Sequence, residues 1–471
     1  MVRITGTYTD QYQLTMSQAY FLEGTAEQTG VFDYFFRKLP LDSGYAVFAG
    51  LDNLLEILED LRFEKAELNF LKEQGFDKRF VDYLKDFRFC GNVYSSAEGD
   101  AVFPTRPVLT IEASMIEAQL IESMLLNILN FQTLVATKAS RMRRAAGEGV
   151  LIDFGMRRAH STAAYHASRA AVVGGFDATS NVKSAMDFDI SPSGTMAHSF
   201  VQSFDKEIDA FRAFAKARPK DCVLLVDTYD TLKSGVPNAI KVGKEMADRG
   251  EKLKGIRLDS GDLAYLSKET RKMLDNAGLT DAKIAASNQL DEFVIKSLKD
   301  QGAKIDVFGV GTSLVTGQPD AALDGVYKLA FANGKPRIKL SENTEKITLP
   351  HRKQVYRVSN DQGVPIGADV IALESETDLH KMIHPLYPDK QVSFKNCHLE
   401  ALLKPVMQDG KRVGKKKSVQ EIAEFSKERI SALPDEYKRF DNPHIYKIGL
   451  SEKLKSERDK LIEFHKKQNQ S

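Results

Sequence analysis

Three cysteines in 471 residues, Cys90, Cys222 and Cys397, are too few and too far apart for a disulfide framework or a zinc site. A reducing, cytoplasmic compartment is therefore expected. No apolar run approaches the roughly 20 residues that cross a bilayer, so no membrane partner is expected. The opening residues, Met1 to Thr7, contain no apolar signal core. Net charge is almost absent, with 66 Lys and Arg against 65 Asp and Glu, which argues against nucleic acid as the main partner. There is no low-complexity tract, and no Cys/His cluster of the kind that holds a transition metal.

What is present is a folding composition, 42% hydrophobic and 28% charged, in a chain longer than one ordinary domain. Residues 1–135 read as an α+β region. A helix starts near Thr9-Asp10-Gln11-Tyr12, with Thr9 or Asp10 as its cap. A strand follows at Thr29–Arg37, then helices at Asn53–Leu61, Lys65–Glu73 and Asp77–Phe87. Short antiparallel strands come next, within Asn92–Pro104 and at Val108–Ala113. Met115 to about Ala146 is a long helical stretch with a possible break.

From Val150 the pattern changes, and residues 136–320 form a second region. Short apolar strands are predicted at Val150–Phe154, partly at Val172–Phe176, and at Val223–Val226, Lys254–Leu258, Lys283–Ala286 and Ile305–Phe308. Amphipathic helices alternate with them at Ser161–Val173, Asn238–Arg249, Asp262–Ala277 and Asp291–Gln301. That alternation means parallel β/α units, and about six of them predict an irregular or incomplete barrel. Residues 321–471 form a third, mixed region. Strands are expected at Val326–Ala332, Arg337–Leu340, Glu345–Leu349, Gln354–Val358 and Asp369–Leu373. A charged helix closes the chain near Ser451–Lys466. The basic run Lys411–Lys417 reads as a solvated loop.

In a β/α barrel the residues just past each strand's C-terminal end face the site. Here those positions read Phe154-Gly155-Met156-Arg157-Arg158, Ala178-Thr179-Ser180-Asn181, Asp227-Thr228-Tyr229-Asp230, Arg257-Leu258-Asp259-Ser260, Ser287-Asn288 and Gly309-Val310-Gly311-Thr312. Between the second and third lies Ser193-Gly194-Thr195-Met196-Ala197-His198-Ser199-Phe200. Alone, His198 reads as a hydrogen-bonded loop histidine. In this company it becomes a site candidate. Arginines clamp phosphate oxygens in bidentate fashion. Carboxylates hold Mg²⁺ or sugar hydroxyls. A glycine-rich turn after the last strand can offer N–H groups to an anion. The residues themselves thus point to a barrel enzyme acting on a phosphorylated, sugar-containing substrate.

Taken together and in order, these segments resemble nicotinate phosphoribosyltransferases. The resemblance implies the type II phosphoribosyltransferase fold, an irregular α/β barrel with an α+β N-terminal domain and a mixed C-terminal region. It implies synthesis of nicotinate mononucleotide and diphosphate from nicotinate and 5-phosphoribosyl 1-diphosphate, in NAD salvage, with ATP as co-substrate and Mg²⁺ as cofactor. It also implies a homodimer with a shared active site. By it, His198 is the histidine phosphorylated by ATP, and Asp259 and Asp227 serve the ribose hydroxyls or Mg²⁺. Phe154 and the partner's Tyr12 sandwich the pyridine ring, while Thr195 and Arg257 hold its carboxylate. Arg157 and Arg158 neutralise the diphosphate. Ser287, Gly309, Gly311 and Thr312 take the 5′-phosphate. Ser180 stands where the related nicotinamide enzyme carries an aspartate, which favours the acid as substrate. Nicotinamide phosphoribosyltransferase, the shorter quinolinate enzyme and a non-catalytic homologue are the competing readings.

Overall fold

The computed structural model describes residues 3–468. They divide into two compact units, residues 138–321 with 418–423, and the described residues up to 137 together with 322–417 and those from 424 onward.

The first unit is built on six parallel strands: β1 (Val150–Asp153), β2 (Ala178–Thr179), β3 (Val223–Leu225), β4 (Gly255–Leu258), β5 (Lys283–Ser287) and β6 (Val307–Val310). They are hydrogen-bonded in the order β2-β1-β6-β5-β4-β3. The first and last strands in the chain therefore pair, with Leu151 opposite Phe308 and Asp153 opposite Val310. That pairing curls the sheet into a ring open on one side, between β2 and β3. A single parallel bridge from Thr179 to Pro192 extends the free edge of β2 into the opening. The barrel is thus irregular and incomplete, as the pattern predicts. Its strands read as apolar runs because both faces are covered. Leu151, Leu224, Leu225, Ile256, Leu258, Ile284 and Phe308 are all buried.

The predicted helices form at Thr162–Val173, Val236–Ala247, Leu263–Asn276 and Glu292–Asp300. Two carry the cap their sequence announces. Asp262 accepts from the Tyr265 N–H at 2.9 Å. Asp291 accepts from the N–H groups of Phe293 and Val294 at 2.9 and 2.8 Å. The expected strand at Val172–Phe176 is absent. Val172 and Val173 end the alanine-rich helix Thr162–Val173, and Gly175 turns the chain at φ +106 before β2 begins at Ala178. Alanine's helix preference outweighs the β-branched pair.

His166 on that helix lies against Tyr165 and Phe188, and its Nδ1 is buried without a hydrogen-bond partner. Burial, reinforced by Arg169, pulls its pKa down from 6.5 to about 4. A depressed folded pKa favours the neutral ring. The stability this contributes is present above pH 6.5 and lost as pH falls from there through about 4. His166→Gln is expected to flatten the fall in urea midpoint across that window, and parallel slopes for the two proteins would refute the assignment.

The second unit holds an antiparallel seven-stranded sheet. Its order is Lys335–Pro336, Gly325–Ala332, Thr29–Phe36, Leu109–Ser114, Asn92–Ser95, Lys404–Gln408 and Lys411–Arg412. It also holds a six-stranded mixed sheet in the order Gln391–Ser393, Lys381–Ile383, Lys447–Leu450, Pro365–Leu373, Lys353–Ser359 and His398–Ala401. Segments from both ends of the chain meet here through a buried ionic network. Arg357 pairs with Asp100 at 2.9 Å and Asp369 at 3.1 Å. Arg106 pairs with Asp369 at 2.9 Å, and Arg429 with Asp100 at 2.7 Å.

The strands expected at Arg337–Leu340 and Glu345–Leu349 do not form. The short strand is Lys335–Pro336, and Thr344–Lys346 is a 3₁₀ turn. Pro336 lacks the N–H a continuing ladder needs. The two segments still meet locally, the Lys339 N–H donating to Thr348 Oγ1 at 2.8 Å. Elements with no counterpart among the expected ones also form, among them the strands Lys381–Ile383, His398–Ala401, Lys404–Gln408 and Lys447–Leu450 and the helix Val419–Ala432. The long helical stretch breaks at Ile121, giving helices Met115–Leu120 and Glu122–Ala146. In the basic run, Arg412 pairs with Asp52, and Lys416 lies 3.2 Å from Glu56.

Candidate active site

Because the six strands are parallel, their C-terminal ends share one end of the ring, and the predicted residues other than Tyr12 lie on the segments that gather there. The polar network centres on β4. The Arg257 guanidinium donates through Nη1 to Thr195 Oγ1 at 2.6 Å. His198 places Nδ1 3.1 Å from Thr228 Oγ1 and Nε2 3.8 Å from Asp259 Oδ2. The hydroxyl of Ser287, at the end of β5, donates to Asp259 Oδ1. Asp227 Oδ2 accepts from the Asp259 N–H at 2.9 Å and from Ser260 Oγ at 2.6 Å. Thr195, His198, Asp227, Arg257, Asp259 and Ser287 thus come from four segments and form one cluster.

Two atoms of the cluster are buried and have no hydrogen-bond partner, Arg257 Nε and Asp227 Oδ1. Burial pulls the Arg257 pKa down, Asp259 and Asp227 oppose that, and the nearby Arg157 adds to it. A cation held this way gains from any anion brought to it. The His198 side chain is 39% exposed, so the ring is accessible beside Asp259.

The turn after β1 is set by two glycines. The Phe154 N–H donates to Val310 O at 2.8 Å. A Cβ on Gly309 would lie 2.4 Å from the Phe154 ring, so the ring can rest on β6 only over glycine. A Cβ on Gly155 would meet Val315 at 2.2 Å. Gly309 is itself a strand residue, opposite Ser287 on one side and Ile152 on the other. Gly311 and Thr312 follow, with Thr312 exposed at the start of the short helix Thr312–Val315. Arg157 and Arg158 are exposed, and the Arg158 N–H closes the turn onto Gly155 O at 2.8 Å. The Ser180 N–H donates to Asp153 O at 2.8 Å. Tyr12 is not part of this cluster. It lies in the other unit, on helix Gln11–Leu22, and is 51% exposed.

The sequence assigns no role to Asp153, or to Thr179 and Thr228 among its strand-end residues, and gives no sign of Ser168. Asp153 accepts from the Gly155 N–H at 2.7 Å, Ser168 Oγ at 2.7 Å and Thr179 Oγ1 at 2.8 Å. A carboxylate ending an apolar strand was the available signal. In the second unit burial pulls the Lys328 pKa down, Glu122 at 3.9 Å opposes it, and Arg37 and Lys339 add to it.

A half-open parallel β/α ring with arginine, carboxylate and glycine segments at its C-terminal end is the type II phosphoribosyltransferase fold. Residues 7–130, 150–364 and 352–458 match the nicotinate phosphoribosyltransferase N-terminal domain, family and C-terminal domain, respectively. The chain is 46% identical to nicotinate phosphoribosyltransferase of Bacillus subtilis, covering 94% of this chain and 92% of that one. It is 37% identical to the enzyme of that name from Dictyostelium discoideum, over 96% of this chain and 87% of that one. The crystal structure of human nicotinic acid phosphoribosyltransferase superposes with a TM-score of 0.86 at 29% identity, covering 96% and 99% of the two chains. The chain belongs to the nicotinate phosphoribosyltransferase family, the transferases that make the pyridine nucleotide in NAD biosynthesis.

Proposed function

We propose that the cluster around Arg257 binds nicotinate and 5-phosphoribosyl 1-diphosphate and that ATP drives the reaction through phosphorylated His198. The observation that carries this reading is the pair of buried, unpartnered atoms, Arg257 Nε and Asp227 Oδ1, among neighbours that are otherwise hydrogen-bonded. Buried polar atoms without partners are costly, and a ligand carboxylate and a ribose hydroxyl would satisfy them.

In this reading Arg257 and Thr195 hold the nicotinate carboxylate, with Ser180 as a further donor. Phe154 stacks on one face of the ring and the partner's Tyr12 on the other, in a cytoplasmic homodimer. The pyridine nitrogen attacks the anomeric carbon with its free lone pair, so no base is needed. The C–N bond forms, the C–O bond breaks and diphosphate leaves. Arg157 and Arg158 stabilise its charge. Asp227 and Asp259 position the ribose hydroxyls, and Ser287, Gly309, Gly311 and Thr312 line the 5′-phosphate position. The donor set fits Mg²⁺, which uses one or two carboxylates together with substrate phosphates. Asp227, with its unpartnered oxygen, and Asp259 would hold it. When bound, it supplies positive charge to the leaving diphosphate.

Competition between the two bases tests the site. Nicotinate is expected to have the lower KM, because the Arg257 charge pairs with a carboxylate and not with a carboxamide. A lower KM for nicotinamide would overturn the reading.

A further inference from the structure

Asp153 is 1% exposed, ends β1 and directly precedes Phe154. The groups that hydrogen-bond its carboxylate are uncharged, namely the Gly155 N–H and the hydroxyls of Ser168 and Thr179. Each belongs to a different segment of the barrel end. Gly155 fixes the turn that carries Phe154 and Arg157. Ser168 anchors the helix Thr162–Val173. Thr179 ends β2, the strand at the open side of the ring.

Thr179 passes the constraint on. Its Oγ1 accepts from the Asn181 N–H at 3.0 Å, next to Ser180. Its backbone N–H donates to Ser191 O at 3.1 Å, and its carbonyl accepts from the Ser193 N–H at 2.9 Å. Ser193 opens the segment that reaches Thr195 and His198. No hydrogen bond joins β2 to β3, so this chain of contacts positions that segment where the sheet does not.

We infer that Asp153 is a positioning residue for the base site: its carboxylate locks Phe154, Ser180 and the Ser193–His198 segment into one geometry across the opening of the barrel. The inference rests on the reading that Phe154 faces the pyridine ring. Asp153 is covered, and both of its carboxylate oxygens are engaged within the protein. A buried carboxylate without a cation is unfavourable, and burial pushes its pKa up against the pull of its three donors. The apolar alternative, a leucine filling the same space, would tie nothing together.

The test compares Asp153→Ala, Asp153→Asn, Thr179→Val and Phe154→Ala in steady-state kinetics with ATP present. Asp153→Ala is expected to lose about 100-fold in kcat/KM for nicotinate, mostly through KM, with a clearly smaller rise in KM for 5-phosphoribosyl 1-diphosphate because Arg157 shares the Gly155 turn. Asparagine keeps an acceptor for Gly155, and its amide can donate to either hydroxyl, so Asp153→Asn is expected to stay within about threefold of wild type. Thr179→Val, nearly isosteric, is expected to raise the nicotinate KM about tenfold and to stay folded with a lowered urea midpoint, since it leaves the Asn181 N–H and Asp153 Oδ2 each a partner short. It decides the matter should Asp153→Ala fail to fold. Wild-type kinetics in Thr179→Val, or equal loss for both substrates in Asp153→Ala, would overturn the inference. Phe154→Ala separates the two levels: an unchanged nicotinate KM there overturns the ring-stacking reading itself.

Discussion

His198→Ala is expected to abolish the acid-labile phosphate that the wild type takes up from γ-labelled ATP. The histidine opens the helix His198–Gln202, with Nδ1 held by Thr228 and Nε2 turned toward Asp259. Its side chain remains accessible at the unclosed side of the ring. Nδ1 is matched at 3.1 Å, whereas Nε2 stands 3.8 Å from Asp259 Oδ2 on an accessible ring, which leaves it open to a phosphoryl group. The uncoupled transfer should survive, because the pyridine nitrogen attacks without a base. In His198→Ala the rate without ATP is expected within about tenfold of wild type, while its stimulation by ATP is lost. Label retained on the variant would remove His198 from the ATP reaction. Loss of label together with loss of all transfer would mean that His198 serves the chemical step and not only the coupling.

Arg257→Ala is expected to lower kcat/KM for nicotinate by roughly two orders of magnitude, about 3 kcal/mol. The guanidinium is largely buried, bound to Thr195 through Nη1, and carries an unpartnered Nε. Asp227 and Asp259 keep it charged against burial. Removing it deprives the substrate carboxylate of its counter-charge and leaves both aspartates facing that carboxylate. Lysine restores the charge but not the planar fork, so Arg257→Lys is expected to recover only part of the loss. The loss should be much smaller for nicotinamide, so the preference for acid over amide should collapse. Equal losses for both bases would instead place Arg257 at the phosphoribosyl group.

Much of the barrel was legible because its signals are local. Asp262 and Asp291 announce helix starts by capping N–H groups two or three residues away. Apolar runs of four or five residues mark strands covered on both faces. The C-terminal region was read less well. Its strands pair across long separations, as in His398–Ala401 against Lys353–Ser359, and one short strand ends on a proline. The candidate site followed from strand order, since parallel strands put their C-terminal ends on one side. The partners of each side chain did not follow. Asp153 sits 15 residues from Ser168 and 26 from Thr179, and nothing in the local pattern links them.

The sequence by itself determined the alternation of strands and helices, the residues at the ends of the parallel strands and the family, because periodicity, caps and motif order are written along the chain. Only the tertiary structure decided where the ring stays open, which atoms of Arg257 and Asp227 lack partners, and that Asp153 binds three segments together. It alone joined Asp100 to Arg357 across 257 positions in one buried ionic network. Desolvation and hydrogen-bond satisfaction depend on everything packed around a group, and that surrounding exists only once distant segments have met.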